Sequence, residues 1–150
     1  MERRHFVFLA LVLLNIQSCW VDPCNPDCGD SYGLFFRIVS KSTGSDLVFG
    51  PNKIFDRSQI KVFSVKGRDT ILTDVRAIYG NSPSDSTLYF YLQDKTDTVF
   101  LRLNAIDIDT INITYGMANS RCCTFNTIQA VNYNNSGLIQ TKDNTVDFKK

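Results

Sequence analysis

Ser86 to Gln93 reads STLYFYLQ. Leu88, Phe90 and Leu92 recur at every second position, with Tyr89 and Tyr91 between them. A period of two puts these sets on opposite faces of an extended chain, whereas a helix would scatter both around its axis. The stretch predicts a strand with an apolar core face and a tyrosine face. The same alternation continues outward in both directions. LFFRIV sets Leu34, Phe36 and Ile38 against Phe35, Arg37 and Val39, and IKVFSV sets Ile60 and Val62 against Lys61 and Phe63. TVFLRLN aligns Val99, Leu101 and Leu103, and TINITYG aligns Ile111, Ile113 and Tyr115. CCTFNTIQAVNY breaks phase between Phe125 and Ile128, which predicts a bulge. Short strands are expected around Leu138–Ile139 and Val146–Phe148.

Turn-forming clusters separate these runs: Ser42 to Asp46, Gly50 to Asn52, Lys66 to Asp69, Gly80 to Asp85 and Asn134 to Gly137. PNKIFDRSQ has room for one helical turn, and no stretch carries a helical stripe. About eight to ten strands without βαβ spacing predict an all-β fold, an antiparallel β-sandwich. No internal repeat divides it, so residues 33–150 are expected to form one domain.

The other end of the chain has a different logic. Arg3 and Arg4 precede an unbroken apolar run of nine residues, Phe6 to Leu14. Nine helical residues reach only about 14 Å, against a bilayer core of roughly 30 Å. The segment therefore reads as a secretory signal, to be set aside from the fold. Ile16-Gln17-Ser18-Cys19 resembles the lipobox of bacterial lipoproteins, with Gln17 where a small residue is usual. The resemblance implies a signal peptide over 1–18, diacylglycerol on the Cys19 thiol, and palmitate or another acyl chain on its freed amine. Several acyl chains anchor firmly where one binds marginally. Residues 19–32, rich in Cys, Pro and Asp, read as a tether. The whole layout is similar to small uncharacterised lipoproteins of Bacteroidetes. That likeness implies a lipid anchor in the cell envelope, at the outer membrane or its surface, and no particular ligand.

Processing at Cys19 would also remove chemistry. The sixteen basic and fifteen acidic residues of the chain, less Arg3, Arg4 and Glu2, leave fourteen of each. There is then no basic excess for nucleic acid. His5 is the sole histidine and Glu2 the sole glutamate, and both would be lost. Without histidine there is no Ser-His-Asp or Cys-His mechanism and no histidine-ligated metal. Without glutamate, acid–base work falls to aspartates alone. No cofactor is expected. The expected function is a non-enzymatic, envelope-anchored binding, adhesive or accessory subunit. Two alternatives stand beside it: an aspartate- or metal-dependent carbohydrate-active enzyme, and a structural protein docking a larger envelope complex.

Four further cysteines remain: Cys24, Cys28, Cys122 and Cys123. Outside the reducing cytosol, disulfides are expected of them. A Cys₄ zinc site would strain at the spacer-less Cys122–Cys123 pair. Three connectivities are open. A bridge from Cys24 or Cys28 to Cys122 or Cys123 is expected, against a local Cys24–Cys28 loop. Tyr89 and Tyr91 are the candidate ligand-binding residues, since a shared aromatic face suits stacking against a glycan. Asn104, Asp107 and Asp109 invite a calcium reading but lack the glycine and distal glutamate of an EF-hand, and read as turn residues. Asp74 and Arg76 share one face of ILTDVRAIY and are expected to pair.

Overall fold

The computed structural model describes residues 29–81, 85–141 and 145–150. Ten strands run in chain order: β1 (Gly33–Val39), β2 (Lys61–Lys66), β3 (Asp69–Thr73), β4 (Val75–Ile78), β5 (Thr87–Tyr91), β6 (Thr98–Arg102), β7 (Ile108–Asn119), β8 (Thr124–Tyr133), β9 (Leu138–Gln140) and β10 (Thr145–Lys149). They form two sheets, one of four strands in the order β10-β1-β5-β4 and one of six in the order β3-β2-β6-β7-β8-β9. The fold is all-β and consistent with the expected sandwich. A 3-10 turn, Arg57–Gln59, is capped by Asp56, whose side chain accepts from the Ser58 N–H. It lies within the one stretch that had room for a helical turn.

The alternating positions fill the space between the sheets. Leu34, Phe36, Leu88, Phe90, Val99, Leu101 and Ile111 are all fully buried. Phe36 sits at the centre, its ring 5.8 Å from Phe90 and 5.4 Å from Phe148. Tyr133 stacks on Phe148 from the six-stranded sheet at 4.5 Å.

Three features depart from a plain antiparallel reading. β1 pairs with β5 antiparallel but with β10 parallel, Phe36 opposite Val146 and Ile38 opposite Phe148. The phase break in β8 falls between Ile128 and Val131, both buried, slightly beyond the expected place. There the Thr141 hydroxyl donates to the carbonyls of both Ile128 and Gln129. Finally, ILTDVRAIY is two strands. It breaks at Asp74, with β3 on the edge of the six-stranded sheet and β4 on the edge of the four-stranded one.

The chain groups into two units. Gly29–Ala118 with Phe125–Lys150 carries the core; the other, in its described part, is the turn Asn119–Thr124. That turn is closed by Ser120 N–H to the Cys123 carbonyl (2.8 Å) and Cys123 N–H to Ser120 Oγ (3.0 Å).

Candidate functional site

The break at Asp74 creates an opening. β3 leaves its neighbour at Thr73, opposite Val62, and β4 begins at Val75, opposite Phe90. Past Phe90, β5 has therefore lost β4 as a neighbour. Between the edge of β3 and this uncovered end of β5 lies a cleft of about 490 Å³, lined among others by Ile71, Thr73, Tyr89, Tyr91, Gln93 and Asp94. Ile71 is paired with the buried Ser64 yet remains 45% exposed.

Tyr89 and Tyr91 both line this cleft. Tyr89 stands in register between Phe35 and Arg76, its ring 4.6 Å from that of Phe35 at a tilt of 40°. It lies down over Gly33: a Cβ there would come within 2.5 Å of the Tyr89 hydroxyl and 2.8 Å of its ring. The absent side chain at Gly33 thus leaves room for a ring laid along the sheet. Tyr91, opposite Gly33, is 45% exposed and donates its hydroxyl to the Asp30 carbonyl at 3.3 Å. At the rim, Arg76 Nε bonds Asp74 Oδ2 at 2.9 Å, as the sequence led one to expect. Both side chains are about three-quarters exposed, so the pair adds little stability and leaves polar groups facing solvent.

Asp30 anchors the margin beside Tyr91. Its carboxylate accepts from the Asn126 backbone N–H (2.7 Å) and the Tyr32 hydroxyl (2.8 Å), which hold it below the ordinary carboxylate range. The same bond pushes Tyr32 up to about 12. Ser31 bridges Thr127 in parallel. Asp30, Ser31 and Tyr32, read as the end of the tether, are thus bonded into the body.

The acidic segment after β6 serves another purpose. Asn104 Oδ1 accepts from the N–H groups of Ile106 and Asp107, an Asx turn. Asp107 and Asp109 both close on the Lys150 ammonium, at 2.7 Å each, and buried Asp109 also accepts from Tyr133 Oη and Asn134 Nδ2. A lysine of this chain supplies the positive charge that these carboxylates face.

Cys122 and Cys123 lie in the Asn119–Thr124 turn, whereas Cys19, Cys24 and Cys28 fall outside the described residues. Sequence reasoning found the tyrosines and the Asp74–Arg76 pair. It missed Gly33 and the cleft, since neither alternation nor turn composition marks a change of sheet. The chain matches no protein-family model, no curated protein and no solved structure.

Proposed function

We propose that this chain is a lipid-anchored, non-enzymatic binding or accessory protein of the cell envelope, with the cleft at the β3–β4 break as its working surface. The observation that carries the reading is the pairing of an N-terminal lipobox-like segment with a β-fold that leaves two tyrosines beside an open, polar-rimmed cleft. Cys19 carries the lipid, and the membrane is the first partner. A glycan or an envelope protein is the second.

The cysteines fit this location as disulfides between the tether and the body. Supporting it, Cys28 is two residues from Asp30 and Cys123 three from Asn126, the two residues joined by the Asp30 carboxylate. Such chain lengths span at most about 7 and 11 Å.

The docking alternative has one feature in its favour. Among the described residues no strand lies beside the outer edge of β3, and Val65, Ile71 and Leu72 on this hairpin are exposed. An added partner strand would meet that edge.

Labelling cells with palmitate tests the anchor. Wild-type protein should take the label and partition into detergent, and Cys19→Ala should do neither. Equal labelling of the variant would remove Cys19 as the anchor. Hydrolysis of an oligosaccharide by the purified protein would move the reading to an enzyme.

A further inference from the structure

We infer that the cleft takes an uncharged saccharide chain, stacked on the Tyr89 ring. The inference rests on the proposed reading of this cleft as the working surface and adds the class of ligand.

Three observations lead to it. The first is the posture of Tyr89. A ring laid along the outer face of the sheet, with Gly33 beneath it and Phe35 beside it, offers a flat apolar face held by its neighbours. Pyranose rings present flat C–H faces of similar size, and a prefixed aromatic ring loses little entropy in meeting one.

The second is the rim. Thr73, Asp74, Arg76, Gln93 and Asp94 surround the apolar residues with acceptors and donors. Polar side chains outnumber apolar ones in this lining, with Ser64 and Thr96 adding two hydroxyls, and hydroxyls of a sugar match both donors and acceptors. Because the cleft is open along the seam, a chain of several sugars can lie across it.

The third is charge. Asp74 and Asp94 place two carboxylates in the lining against one guanidinium, Arg76, which is already bonded to Asp74. The adjacent Lys95 ammonium sits 5.2 Å above the Tyr115 ring. Uronic-acid or sulfated chains would meet net negative charge, so the lining favours uncharged ones.

The test uses the mature lipidated protein in micelles of a detergent without sugar headgroups. It is titrated calorimetrically with hexasaccharides of β-1,4-glucose, β-1,3-glucose, β-1,4-mannose and β-1,4-xylose, and with hexagalacturonate as the acidic comparison. At least one uncharged hexasaccharide should bind, and more tightly than hexagalacturonate. Tyr89→Ala should weaken it at least tenfold, and Tyr89→Phe, which keeps the ring, should stay within about threefold. Gly33→Ala should weaken it as well, by lifting the ring. Circular dichroism checks that each variant is folded, and Asp94→Asn replaces any that is not, with an expected loss of severalfold. Binding of none of the uncharged chains, tighter binding of hexagalacturonate, or unchanged binding by Tyr89→Ala would overturn the inference. A negative panel with palmitate labelling intact removes the saccharide and leaves the anchored protein. Lost labelling with saccharide binding intact does the reverse.

Discussion

Asp109 shows how one side chain ties distant parts of this chain together. It is 4% exposed and accepts from Tyr133, Asn134 and Lys150. Burial alone would raise its pKa, but the bonds from Lys150, Tyr133 and Asn134 outweigh it and hold the carboxyl below its ordinary value. A carboxyl lowered by folding stabilises the protein above its unfolded pKa, and that contribution disappears as pH falls through the folded value. Lys150 runs the other way. Burial lowers it, the bonds to Asp107 and Asp109 raise it further, and its contribution disappears as pH rises through the raised value. Urea midpoints should therefore be flat from about pH 5 to pH 9 and fall on either side. Asp109→Ala should cost about 3 kcal/mol in the same assay, because it leaves Tyr133 and Lys150 without their shared acceptor. Part of this was readable in the sequence, where Asn104, Asp107 and Asp109 stand out. Their partner Lys150 was not, since forty-one residues separate it from Asp109 and no local pattern links them.

The strands show why some elements were legible and others not. Alternation identifies inward residues whatever the neighbour, and Leu88, Phe90, Val99, Leu101 and Ile111 are buried as their spacing requires. Removing one of them should tell: Phe36→Ala, between Phe90 and Phe148, should lose about 3–5 kcal/mol by thermal or urea unfolding. Alternation says nothing of which sheet a strand joins. Thr73 pairs with Val62, and two residues later Val75 pairs with Phe90, so the inward phase runs through Asp74 while the chain changes sheet. A continuous ILTDVRAIY strand and a broken one therefore have the same pattern. The direction of β10 was hidden for the same reason, because Val146 and Phe148 face inward whether their neighbour β1 runs parallel or antiparallel.

At the scale of the whole molecule, the proposed lipid anchor at Cys19 and the open seam of the β-fold are separate claims. The cysteines are expected to link the anchor's tether to the body. Non-reducing peptide mapping should find a peptide joining Cys24 or Cys28 to Cys122 or Cys123, and reduction should lower the melting temperature; only a local Cys24–Cys28 peptide would refute the link. The cleft offers the sharper question, since other surfaces compete with it. On the six-stranded sheet Phe63 and Phe100 stack at 5.3 Å with the Arg102 guanidinium above Phe63, another aromatic patch on the side away from the core. Backbone amide shifts of the isotope-labelled mature protein in micelles, followed as solubilised envelope material is added, discriminate between them. Perturbations gathered on residues 71–76 and 89–94 are the expected result; perturbations centred on Phe63 and Phe100, or none at all, would contradict the cleft as the binding surface.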